Sequence, residues 1–239
     1  FRDALALDGT LAPAIFGLAE TDRQQGNAEA ALAGFQKLLA LRRSTPDAVP
    51  QGLQIAALGN VGLLYYEKGF YEDAESALAE SVALDANSAE SWTNLGLVER
   101  KLGKRKEATE ALRKAYALDP TNEAAVGNLA LTYMDGADWI NAVALLLTAT
   151  QQSPSNAQLW LNLGVAQQGM ENAEGAIGSF QRVLALDTDN RQGFAAAAAG
   201  YLALAYTRQN RFDLAIEQAK RETQWSPEDA SGWINLGQA

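Results

Sequence analysis

The 239-residue chain contains no histidine and no cysteine. These side chains most readily act as nucleophile, neutral-pH base or soft metal ligand, so any such chemistry would fall to carboxylates, lysine, serine or tyrosine. Candidate acids are Glu72, Asp73, Glu75, Glu107 and Glu110, but they fall at the spacing of a helix surface and do not converge on one reacting atom. Metal-ligand spacing is missing, and so is a glycine-rich phosphate loop, because each glycine has a packing role in the pattern described below. The residues therefore predict no catalytic group, no metal and no cofactor. Without cysteine there is neither a disulfide framework nor a thiolate site, which leaves the compartment unassigned.

The net charge of −10 narrows the partners. Nucleic acid demands a basic stripe that releases counterions, and anionic membrane surfaces demand the same, so both are disfavoured. Hydrophobic residues make up 48% and charged residues 20%, a balance that can build a core and is unlike that of a disordered chain. Apolar runs stay short of membrane-spanning length, and no basic-then-apolar leader pattern opens the sequence.

The elements that position these residues recur with a fixed period. Asn60, Asn94, Asn128 and Asn162 stand 34 residues apart. In phase with them come Val61, Leu95, Leu129 and Leu163, then Gly62, Gly96, Ala130 and Gly164, then Ala74, Ala108, Ala142 and Ala176. Each unit reads as two helices. In residues 89–122 the first helix is predicted from Ala89 to Leu102, with Trp92, Leu95, Gly96 and Glu99 on one face and Gly103 as its break. The second carries Ala108, Ala111, Leu112, Ala115 and Leu118 on one face and ends at Asp119-Pro120.

This pattern resembles the tetratricopeptide repeat, with its Trp, Leu, Gly, Tyr, Ala, Phe, Ala and Pro at set positions of 34. Residues 89–122 match through Trp92, Leu95, Gly96, Ala108, Ala115 and Pro120, and residues 157–190 through Trp160, Leu163, Gly164, Ala176 and Phe180. The resemblance covers nearly the whole chain. It implies an all-α fold, an α-α superhelix (a solenoid) of about 14 antiparallel helices, right-handed, with first helices lining a concave side. Full repeats are expected at 12–45, 55–88, 89–122, 123–156, 157–190 and 196–229. Residues 1–11 read as the tail of a preceding repeat and 230–239 as the start of a further one, as in a fragment of a longer array. Residues 46–54 and 191–195 are insertions, the second followed by an alanine run expected to lengthen the next helix by about a turn.

The resemblance also implies where function lies. Groove-lining positions of the family carry an asparagine row, Asn60, Asn94, Asn128 and Asn162, with Tyr201 departing from it in the sixth unit and Asn235 resuming it in the partial unit that follows. An Asn side chain both donates and accepts, so a row of them could hold an extended backbone. Three residues further on lies an apolar stripe of Leu63, Leu97, Leu131, Val165 and Leu204. Together they imply a non-catalytic interaction scaffold for a protein or peptide with apolar side chains. The alternatives are a self-associating assembly scaffold, joined through uncapped ends, and a targeting module of a larger enzyme. Some relatives grip a C-terminal carboxylate with basic residues at three groove columns. Here those columns hold residues such as Glu90, Thr93, Gly127, Gln158 and Leu161, so that clamp is not expected. The basic group Arg100, Lys101, Lys104, Arg105 and Lys106 reads as a solvated turn.

Overall fold

Alanine-rich segments broken every dozen residues by Gly, Asn or Asp favour short helices, and short helices are stable only when packed. The computed structural model describes residues 1–239 and contains helices without strands. It divides into two compact units, 1–128 and 129–239, with the division inside one helix. Unit 1 holds α1 (Arg2–Leu7), α2 (Ala12–Gln24), α3 (Ala28–Ser44), a 3-10 turn (Pro46–Ala48), α4 (Gln51–Glu67), α5 (Tyr71–Leu84), α6 (Ala89–Lys101), α7 (Arg105–Leu118) and the start of α8 (Glu123–Asp135). Unit 2 holds the rest of α8, then α9 (Trp139–Gln152), α10 (Ala157–Gly169), α11 (Ala173–Leu186), α12 (Phe194–Arg208), α13 (Phe212–Trp225) and α14 (Ala230–Gln238).

Within unit 1 the hairpins are α2–α3, α4–α5 and α6–α7; within unit 2 they include α10–α11 and α12–α13. Each packs on its sequence neighbour. The even-numbered first helices also touch one another, α2 with α4 and α4 with α6, and in unit 2 α10 with α12 and α12 with α14. In each unit the first helices therefore form the tighter layer.

Small residues set the hairpin crossing. A side chain at Gly62 would stand 2.5 Å from Leu78 Cγ, one at Gly96 2.5 Å from Leu112 Cγ, and one at Gly164 2.4 Å from Phe180 Cε1. Leu78, Leu112 and Phe180 are fully buried, so the glycine lets a large apolar group lie flat on the first helix. Burial of each such side chain contributes about 1.5–3 kcal/mol. Across the crossing, Ala31, Ala74, Ala108, Ala142, Ala176 and Ala215 are all buried at one column.

Polar groups fix the turns between hairpins. Ser88 Oγ accepts from the Ser91 amide, Asn122 Oδ1 from Ala125 and Asn156 Oδ1 from Leu159, each capping a first helix at 3.0–3.1 Å. The tryptophans bind the same turns from the side: Trp92 Nε1 donates to the Ala86 carbonyl, Trp160 to Pro154 and Trp233 to Pro227, at 2.9–3.1 Å.

The two insertions lengthen first helices unequally. The Pro46–Ala48 turn feeds α4, which at 17 residues exceeds the 13 of α6 or α10 by a full turn. The expected one-turn extension of α12 is shorter than predicted. This helix has 15 residues and begins at Phe194, because Gly193 takes φ +79 and breaks the chain direction there. Its amide ends are held instead by Asp187, a buried carboxylate whose Oδ2 accepts from Phe194 and Ala195 at 3.1 Å, and by Asn190 Oδ1, which accepts from Ala196 at 2.9 Å.

Candidate functional site

The ten groove candidates lie on successive first helices: Asn60 and Leu63 on α4, Asn94 and Leu97 on α6, Asn128 and Leu131 on α8, Asn162 and Val165 on α10, Tyr201 and Leu204 on α12. Nine are half-buried and Asn162 is buried. Asn60 and Asn128 donate their side-chain amides to carbonyls of their own helices, Ala56 and Ala124, at 3.0 Å. That orientation leaves the side-chain oxygen as the outward acceptor. The Asn162 amide is buried with no hydrogen-bond partner. Tyr201 stacks on Phe180 at 5.0 Å between ring centroids, so part of it belongs to the packing between the α10–α11 and α12–α13 hairpins.

Two clefts gather five of these residues. In unit 1 a cleft of about 330 Å³ is walled by Gly52, Ile55, Ala56, Gly59, Asn60 and Leu63 of α4, and by Asp85, Ser88, Glu90, Ser91 and Asn94 at the entry to α6. In unit 2 a cleft of about 380 Å³ is walled by Gly193, Ala196, Ala197, Gly200, Tyr201 and Leu204 at α12, with Glu222 of α13 and Ser226, Asp229, Ser231 and Asn235 at the entry to α14. The six residues contributed by α12 and the glycine before it stand at one constant offset from the six of α4, so each cleft is the same feature of its own unit. Each is walled by one lengthened first helix, α4 in unit 1 and α12 in unit 2, and Gly52 and Gly193 come from the insertions themselves. Leu97, Asn128, Leu131, Asn162 and Val165 line neither cleft. A third cleft, on the α3–α5 side, is lined by Arg43, Asp73 and Glu80 and includes none of the ten.

Two carboxylates line each first-helix cleft, Asp85 with Glu90 and Glu222 with Asp229, and no lysine or arginine lines either. The backbone amide of Ser231, which donates to Asp229 Oδ1 at 2.9 Å, holds Asp229 below the usual carboxylate range. Glu222 is buried, accepting from Ser231 Oγ and Asn235 Nδ2 at 2.9 Å each. It was not legible as a site residue from periodicity, although it leaves a signal. Its column otherwise holds Leu38, Ser81, Ala115, Ala149 and Val183, so a carboxylate there breaks the pattern.

Glu99 stands in a column that holds Tyr65, Tyr133 and Tyr206 in three other units, and Asp22 and Gln167 in the remaining two. Burial, then the charges of Glu75 and Glu107, push its carboxyl up to about 7, with Lys104 opposing and Glu110 adding to the rise. Its Oε2 is buried without a hydrogen-bond partner, while Lys104 pairs with Glu75 at 2.6 Å. The groups around Glu99 hold no arrangement of three or more metal-binding residues. No helix is long and apolar enough to cross a membrane.

Helical hairpins crossing through Gly or Ala columns, with first helices layered together, define the tetratricopeptide-repeat solenoid. A family model described as "Cytochrome c-type biogenesis protein H TPR domain" matches residues 71–192, slightly more than half of the chain, and a tetratricopeptide-repeat model matches residues 165–230. The chain belongs to the cytochrome c-type biogenesis protein H TPR domain family. Comparison with curated protein sequences gives no match. Among solved structures, a chain of the APC/C hetero-tetramer Cut9–Hcn1 aligns with TM-score 0.74 at 20% identity, over 99% of this chain and 44% of that one. MamA from Desulfovibrio magneticus RS-1 aligns at 0.65 and 19%, over 74% and 97%. YrrB, described as a TPR protein with an unusual peptide-binding site, aligns at 0.64 and 21%, over 82% and 96%. At these identities the likeness is one of fold.

Proposed function

We propose that the chain is a non-catalytic interaction scaffold that binds a polypeptide segment on its first-helix face, within the two clefts walled by α4 and α12. The observation that carries this reading is the recurrence of one cleft in each unit. Each exposes small residues as a floor, a half-buried leucine (Leu63 or Leu204) as an apolar contact, and amide or carboxylate acceptors along one wall. A backbone laid along such a wall finds acceptors for its N–H groups, and the leucine offers a place for an apolar side chain. Family membership adds the process: the partner is a polypeptide handled during cytochrome c-type biogenesis. YrrB, a relative in fold, is described as having a peptide-binding site, which is consistent with binding by this architecture.

A displayed library of random 12-residue peptides, selected on the 239-residue chain, supplies ligands whose affinity is read by fluorescence anisotropy. Leu63→Asp and Leu204→Asp together are expected to weaken the selected peptides at least tenfold while far-UV circular dichroism is unchanged. Wild-type affinity in the double variant would remove the first-helix face from the account.

A further inference from the structure

Glu222 occupies space that two glycines create. A side chain at Gly200 would stand 2.6 Å from Glu222 Oε1, and one at Gly232 would stand 3.1 Å from its Cγ. Glu222 is 5% exposed, and its carboxylate has only neutral donors, Ser231 Oγ and Asn235 Nδ2. Neutral hydrogen bonds offset only part of the hydration a carboxylate loses on burial, and a cation reaching it through the cleft would offset more.

Asn235 supplies a further acceptor to the cleft. It is 7% exposed, and its amide nitrogen must face Glu222, because its oxygen there would oppose another oxygen. Its Oδ1 is thereby left as a cleft-lining acceptor with no donor in the structure. Asp229 adds a second carboxylate at the exposed rim. The cleft therefore offers acceptors at its base and edge, small apolar walls from Ala196 and Ala197, and no positive charge of its own.

We propose that this cleft is a pocket for one cationic side chain, a lysine or arginine, of the bound polypeptide. The apolar stem would lie on Ala196 and Ala197 while the charged head meets Glu222, Asn235 Oδ1 and Asp229. This assignment rests on the first-helix face being the polypeptide site, and it names what that site selects.

The test uses the selected peptides and their variants. The expected result is a pool with Lys or Arg at one fixed position, where replacement by Gln costs at least tenfold in affinity. Against Glu222→Gln that same replacement is expected to cost less than twofold, the signature of direct coupling. Ala197→Lys, at an exposed position and so harmless to packing, is expected to weaken the basic peptides at least tenfold by placing a cation in the pocket. If peptides bind with no fixed basic position, or if Glu222→Gln and Ala197→Lys leave the Lys-or-Arg preference intact, the pocket is wrong and the binding face stands. If no peptide is recovered, the binding face fails and the pocket with it.

Discussion

Glu99 is buried on the packed face of its helix near the charges of Glu75, Glu107 and Glu110, and is protonated more readily than an ordinary glutamate, with a pKa of about 7 against 4.5. The native state thus holds a proton between those values that the unfolded chain releases. The corresponding stability is fully present below about pH 4.5 and is lost as pH rises through 7. Glu99→Gln removes the charge, so urea denaturation is expected to find the variant about equal to wild type at pH 4.5. At pH 8 it should be more stable, on the order of 2 kcal/mol. A variant destabilised equally at both values would contradict the burial argument. The sequence placed Glu99 on the packed face of its helix. It did not reveal the missing partner, because that depends on side chains from α5 and α7.

At the scale of elements, helix starts and stops were largely legible. The first helix of residues 89–122 was expected to run to Leu102 and ends at Lys101, with Gly103 at φ +74. The same left-handed turn recurs at Gly26 and Gly69, whereas Ala137, Glu171 and Asn210 adopt φ of 55–60 in its place in unit 2. Left-handed backbone costs a non-glycine residue about 1–2 kcal/mol, partly offset by glycine's extra freedom when unfolded. Glu171 is exposed, so Glu171→Gly changes little else, and a gain of about 1 kcal/mol is expected from chemical denaturation. A loss of stability would show that the turn tolerates its glutamate without strain. The start of α12 was less legible. An alanine run signals helix, but the start depends on Asp187 and Asn190 reaching across the insertion, and a local propensity argument does not register such a reach.

At the scale of the molecule, the 34-residue period identified the all-helical solenoid, because small-residue columns are a direct imprint of helix crossing. The candidate site was legible in part. Asn60, Leu63, Asn94, Tyr201 and Leu204 line the two clefts, while the remaining five candidates line neither. A family pattern marks which face a residue occupies. Cleft depth depends on the lengthened α4 and α12 and on local glycines, which differ from unit to unit. The insertions contribute Gly52 and Gly193 to the clefts.

The most direct test of a first-helix binding face is hydrogen–deuterium exchange of the chain with and without a saturating selected peptide. Added protection is expected in α4, α6, α12 and the first turn of α14, with α5, α7 and α11 unchanged. Protection confined to α5, α7 or α11, with α4 and α12 exchanging as in the free chain, would contradict it.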